Sequence, residues 1–213
     1  MAGLSRIGLS IFDPPRPWQP GEKPSSNPRA IAYLLGSKLP PRTDARIPHG
    51  TMGLLYIGTQ LDYGLLGGAI SVFDPRSEHI DVYSKLIPEE EITALAADDR
   101  YVYAASDPQG GGGSAPTAKG SHFFVWDPQS KSIVFDHTFA DDQQILSIAV
   151  VGGHAYFFKN DSIMDYDAAR KTLSVLLHLG SGKAVPSESM RAARDGSVFG
   201  LFGNTVGRFY PSS

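Results

Sequence analysis

Apolar and polar positions alternate in short runs along this chain, and the runs recur in a fixed order. One phrase anchors that order. Ser10-Ile11-Phe12-Asp13-Pro14 is answered by Ser71-Val72-Phe73-Asp74-Pro75 and again by Phe124-Val125-Trp126-Asp127-Pro128. Met164-Asp165-Tyr166-Asp167-Ala168 is a weaker fourth copy, and Gly207-Arg208-Phe209-Tyr210-Pro211 is a degenerate fifth without the Asp. Period-two alternation is that of a half-buried strand with its aromatic packed inward. Asp-Pro then ends the strand. Proline has no N–H for the ladder and presets a turn, while the Asp carboxylate accepts from backbone amides just beyond it.

Each copy is followed by a second strand-like run, at 29–35, 80–86, 132–139 and 172–179. A third run, rich in small and β-branched residues, comes next at 92–98, 145–151 and more faintly 188–195. A fourth closes the unit at 54–59, 101–106, 154–160 and 197–203. The third run suits the crowded innermost strand of a propeller blade. Numbering from it gives strands A, B, C (ending in the Asp-Pro phrase) and D. Short turns at Asp98-Asp99-Arg100 and Gly152-Gly153 read as A–B hairpins. No segment has the pattern of a long amphipathic helix; even 173–179 falls where strand D belongs.

The pattern therefore predicts an all-β chain, a β-propeller of four-stranded antiparallel blades with a repeat of roughly 40–45 residues. The blade parts fall at 5–35, 45–86, 92–139, 145–179 and 188–210, which is three complete blades and two partial ones in a single domain over 1–213. Three arrangements suit that count: a small ring closed within one chain, half of a larger ring formed by two chains, or part of a longer propeller with earlier blades absent. The last would leave open strand edges.

The Phe-Asp-Pro phrase, the run LLYIGT at 54–59, Asp62-Tyr63-Gly64, Gly67-Gly68-Ala69 and the stretch PWQPG at 17–21 resemble bacterial β-propeller repeat proteins of the WD40-, PQQ- and NHL-like kinds. The resemblance covers nearly the whole chain and implies the fold, and with it an exported bacterial protein; it implies no particular activity. Streptogramin-inactivating lyases look like distant architectural relatives, but their catalytic residues match no motif here.

Composition narrows the function classes. Apolar residues make up 41% of the 213, and Gly (23) and Pro (16) suit many short strands and turns. The net charge of -3 has no basic stripe, against nucleic-acid binding. No apolar run is long enough for a membrane span, and the first residues lack a signal-peptide pattern. With no cysteine, disulfides, thiolate catalysis and Cys-ligated zinc are excluded. Asn160-Asp161-Ser162 fits a glycosylation triplet, a pattern that often arises by chance.

Propeller topology sends B–C and D–A connections to one face, and A–B and C–D connections to the other. On the first face Asp62 and Tyr63 form a polar–aromatic pair, while Arg46, Gln144 and Arg191 stand near inner-strand starts. Together they are candidate ligand residues for a sugar, with Tyr stacking and Arg and Asp fixing hydroxyls; ordinary loop packing and solvated charge are the competing expectation. Glu89, Glu90, Glu91, Asp141 and Asp142 make this face acidic and are expected to form a solvated rim, since no calcium-loop spacing is present. Gly110 to Gly113 and Gly180-Ser181-Gly182-Lys183-Ala184 lack the residues of a phosphate loop and read as flexible loops. On the opposite face, the proline-rich insertion at 14–28 carries Trp18, expected to fold back over a blade edge.

None of the six histidines forms a metal-ligand pair; His49 alone, on a predicted inner strand, is a catalytic candidate. No nucleophile-elbow or Ser-x-x-Lys motif occurs, and no metal or other cofactor is called for. Recognition of a glycan or protein partner without catalysis is the leading expectation. Oligomer assembly through open blade edges comes next, and then a lyase acting on a polysaccharide or cyclic ester.

Overall fold

The computed structural model describes residues 27–33, 53–60, 64–109, 114–141, 143–180, 190–202 and 205–211. They form strands and turns only. The first sheet runs β1 (Asn27–Tyr33), β2 (Leu55–Gln60), β3 (Gly68–Asp74), β4 (His79–Ser84). The second runs β5 (Glu91–Ala97), β6 (Val102–Asp107), β7 (Ser121–Asp127), β8 (Ser132–Phe139). The third runs β9 (Ile148–Val151), β10 (His154–Lys159), β11 (Ser162–Asp167), β12 (Thr172–His178). The fourth has β13 (Met190–Ala192), β14 (Val198–Phe202) and β15 (Thr205–Phe209). In each sheet neighbouring strands follow chain order, antiparallel, as propeller-blade meanders. The chain is all-β, as its alternation predicts.

The run at 29–35, expected to close a preceding unit as strand D, belongs elsewhere. β1 pairs with β2, with Ile31 opposite Ile57, and so opens the first sheet, which the sequence pattern started at 45. Ala30, Ile31 and Ala32 explain the position, since they are the small and β-branched residues that the pattern assigned to strand A.

The chain divides into two compact units, residues 1–92 with 108–118, and 93–107 with 119–213. In the first, β3 approaches β2 so closely that a Cβ on Gly68 would lie 2.3 Å from the Thr59 carbonyl oxygen. Side chain and backbone are also tied there: Thr59 Oγ1 accepts from the Ala69 N–H at 3.2 Å.

In the second unit, alternation sorts the central strands onto two buried faces, while the outer strands β8 and β12 are largely exposed. Tyr103, Ala105, Phe123 and Val125 share one face of the second sheet and pack on Ala155, Phe157, Met164 and Tyr166 of the third. Phe123 and Phe157 stack with ring centroids 4.5 Å apart, a contact worth about 0.5–1.5 kcal/mol beyond area burial. The other face of the third sheet, with Tyr156, Phe158 and Ile163, packs on Met190 and Val198 of the fourth. The phrase aromatics Phe73, Trp126 and Tyr166 are buried, as the alternation requires.

Inner strands are joined by hydroxyls at one repeated position. Thr93 and Ser147 each stand five residues ahead of their A–B turn. Thr93 Oγ1 donates to the Ile145 carbonyl at 2.8 Å, and Ser147 Oγ donates to the Met190 carbonyl at 3.2 Å while accepting from the Met190 N–H at 2.6 Å. At the far end of β10, Lys159 is a second tie. Its ammonium, on a side chain only 2% exposed, pairs with Asp141 at 2.6 Å, donates to Ser121 Oγ at 2.7 Å and to the Gln143 carbonyl, and lies over the Phe139 ring.

Candidate functional site

Turn chemistry positions the polar groups of this chain. In the C–D turns the phrase Asp accepts from amides ahead of it, as its sequence predicts. Asp74 Oδ1 accepts from the Arg76 N–H at 2.9 Å, and Asp127 Oδ1 from the Gln129 N–H at 2.8 Å. Asp167 Oδ1 accepts from the Ala169 N–H at 2.9 Å and the Arg170 N–H at 3.0 Å, although this copy has Ala in place of Pro.

In the second unit three such turns converge on an open cleft of about 530 Å³. They are the A–B turn of the second sheet (98–101), the A–B turn of the third (152–154) and the C–D turn of the third (167–170). The two turns of the third sheet are joined by the Ala168 N–H donating to the Gly153 carbonyl at 3.0 Å. Gly152 and Gly153 have φ of 60° and 81°, the left-handed pair that a two-residue hairpin needs.

The carboxylates in the cleft are already engaged. Asp98 Oδ1 accepts the N–H groups of Arg100 and Tyr101, each at 2.8 Å, and its Oδ2 accepts the Tyr103 hydroxyl at 2.6 Å. Asp167 Oδ2 accepts Arg170 Nη1 at 2.7 Å. The Arg170 backbone N–H, together with its guanidinium and the Ala169 N–H, holds the Asp167 carboxyl below its ordinary range. Burial, with Asp98 as acceptor, raises the Tyr103 phenol far above its usual value. Burial also pushes Tyr156 and Tyr166 up to about 12, so these phenols stay protonated at neutral pH.

The arginines are differently disposed. The Arg100 guanidinium lies 4.7 Å from the Tyr101 ring centroid. Arg170, its side chain 79% exposed, spends Nη1 on Asp167. His154 completes the wall, its Nδ1 2.8 Å from Asp165 Oδ1 and its ring stacked parallel to Tyr156.

Of the residues singled out from sequence, Arg46, His49, Asp62, Tyr63 and Asp142 lie outside the described residues, as do Gly110 to Gly113, Trp18 and most of 180–184. Gln144 is half-buried just ahead of β9. Arg191 is exposed on β13, with Nη1 donating to the Met190 carbonyl at 2.8 Å. The Ser147–Met190 tie brings those two strand starts to neighbouring positions. The expected solvated acidic rim is corrected in part: Glu90 and Glu91 are each only 2% exposed, because the start of β5 is an inner-strand position. Asp141 is the counter-ion of Lys159. Among the described residues no group of three or more His, Asp or Glu could hold a metal ion, and no helix is long and apolar enough to cross a membrane.

The cleft itself was missed from sequence. Its residues read as turn formers, on the face opposite the one that carried the candidate sugar residues. The available signal was a basic residue directly after two turn motifs, Asp98-Asp99-Arg100 and Asp167-Ala168-Ala169-Arg170.

The sequence matches no family model, and it matches none of the curated proteins. Solved structures do resemble it. Hydrazine synthase of Kuenenia stuttgartiensis superposes with a TM-score of 0.59 at 13% identity, covering 92% of this chain and 49% of that one. A chain of the mitotic checkpoint complex superposes with a TM-score of 0.51 at 6% identity, covering 91% of this chain and 56% of that one. This chain thus spans about half the length of each. Both contain β-propeller domains, and what this chain shares with them is that fold.

Proposed function

We propose that this chain is a recognition or scaffold module of the β-propeller kind and performs no chemistry at the cleft. The observation that supports this is the saturation of the cleft carboxylates. Asp98 and Asp167 each accept three hydrogen bonds from their own surroundings, so neither is poised as a general base. A rigid scaffold presenting turn residues is the usual platform for binding. The finer parts of the proposal are a glycan or protein ligand and kinship with exported bacterial WD40-, PQQ- or NHL-like repeats, for which the Phe-Asp-Pro phrase is the support. Arg46, Asp62, Tyr63, Gln144 and Arg191 stay proposed as a second, sugar-binding surface.

Calorimetric titration against a panel of acidic and neutral saccharides and peptides, with mass spectrometry of the recovered ligands, tests the proposal. Binding with every ligand recovered intact is expected. Cleavage or elimination would overturn it in favour of a lyase, for which His49 is the residue to replace first. No binding across the panel would also count against it.

Assembly has its own observation. β15 pairs only with β14 among the described residues, and the exposed Val206 and Tyr210 lie on and just beyond it, at 66% and 65% exposure. A second copy of the chain, adding a strand along that edge, is the partner we propose. Light scattering across a concentration series would then report twice 22.9 kDa, and a monomer throughout would remove this reading.

A further inference from the structure

The cleft of the second unit has an unbalanced hydrogen-bonding inventory, and the imbalance names a ligand class. Its acidic acceptors are largely engaged: the carboxylates of Asp98 and Asp167 are met by turn amides, the Tyr103 hydroxyl and Arg170 Nη1, and His154 Nδ1 lies against Asp165. Its donors are not. The Arg100 guanidinium rests on Tyr101 and acts on Asp127 through its charge alone, and Arg170 engages only Nη1, on Asp167. Guanidinium groups are planar forks that match carboxylate and phosphate oxygens two at a time.

Space and access fit a small molecule. About 530 Å³ is within the range of small-ligand sites. A Cβ built on Gly152 or Gly153 would meet nothing within 4 Å, so this lining turn is not crowded by its neighbours. Tyr101 is 6% exposed and covered by Arg100, so it offers no ring face to a neutral sugar. What remains to hold a ligand is charge-assisted hydrogen bonding.

We infer that this cleft is an oxyanion site in which Arg100 and Arg170 hold a carboxylate or phosphate group of a small ligand from opposite turns. The inference rests on the recognition reading above and deepens it by naming the ligand chemistry. Each arginine acts through its fork, so Arg170→Lys keeps the charge but loses the two-point contact.

The test titrates the full chain with three probes: glucuronate, glucose as its neutral counterpart, and inorganic phosphate. Glucuronate or phosphate binding, with glucose absent, is expected. Arg100→Gln and Arg170→Gln are each expected to weaken that binding by about tenfold, the scale of one charge-assisted contact. Arg170→Lys should fall between, and Arg194→Gln, an exposed arginine away from the cleft, should match the parent. Glucuronate alone binding identifies a carboxylate ligand, and phosphate alone identifies a phosphorylated one. Glucose binding as tightly as glucuronate, or binding unchanged in both Gln variants, would overturn the inference while leaving the recognition reading intact. No binding of any probe would also overturn it, with the wider ligand panel then deciding the recognition reading. Probe turnover would instead sink that reading. Melting curves of the variants matching the parent make loss of fold a separate readout.

Discussion

Three side chains stand in a backbone state that L residues avoid, at the same point of successive C–D turns. Glu78, Lys131 and Lys171 have φ of 56°, 55° and 55°, each four residues beyond the turn Asp (Asp74, Asp127, Asp167). Crowding of Cβ against the carbonyl costs about 1–2 kcal/mol per non-glycine residue there. Glycine removes that cost but adds freedom to the unfolded chain worth roughly 0.4–1 kcal/mol. The difference favours glycine by about 0.5–1 kcal/mol per site. Lys131 and Lys171 are in the second unit, in different sheets and both exposed, so their gains should add. The double variant Lys131→Gly/Lys171→Gly is then expected to gain about 1–2 kcal/mol, and at about 2–4 °C per kcal/mol for a chain of this size to melt about 2–8 °C higher. Thermal unfolding followed by circular dichroism measures it. The matched Lys131→Ala/Lys171→Ala variant removes the same charges but keeps both Cβ atoms, and it should melt close to the parent. A glycine variant that melts no higher than the parent, or an alanine variant that gains equally, would refute the strain account.

Two further outcomes follow from the polar ties. Lys159→Ala should cost about 2–3 kcal/mol in urea unfolding, because Ser121 Oγ and the Gln143 carbonyl lose their partner at a buried site. Asp141→Asn should cost at most about 1 kcal/mol, since that carboxylate is 46% exposed; equal costs for the two would mean that the ion pair, not the lysine's hydrogen bonds, holds this joint. Acid should destabilise the fold. Asp127 and Asp167 are held below 3.8 chiefly by backbone N–H donors, and Asp195 by the Ser197 hydroxyl. A depressed carboxyl contributes stability above its unfolded value and loses it as pH falls through the folded value, so unfolding midpoints should be flat above about pH 5 and decline from about pH 4 downward. A midpoint that rises between pH 5 and pH 3 would contradict the sign.

What the sequence determined by itself was local. Period-two alternation located the strands from 55 onward to within a few residues, with 132–139 matched at both ends. Turn chemistry was equally legible, because an Asx turn needs only the Asp and the amides beyond it, and the Gly152-Gly153 hairpin needs only two residues with positive φ. Tertiary structure decided which strand pairs with which. Residues 27–33 follow an Asp-Pro phrase yet open a new sheet, since pairing answers to partners across the chain and not to order along it. It also decided which charges are buried: nothing local separates Glu90 and Glu91 from the exposed Glu89 beside them. The hydroxyl ties of Thr93 and Ser147 span 52 and 43 residues, beyond the reach of any local pattern. The cleft belongs with these. Arg100 and Arg170 are seventy positions apart, and each alone reads as a solvated charge after a turn; only the packing of the second and third sheets puts both on one cavity.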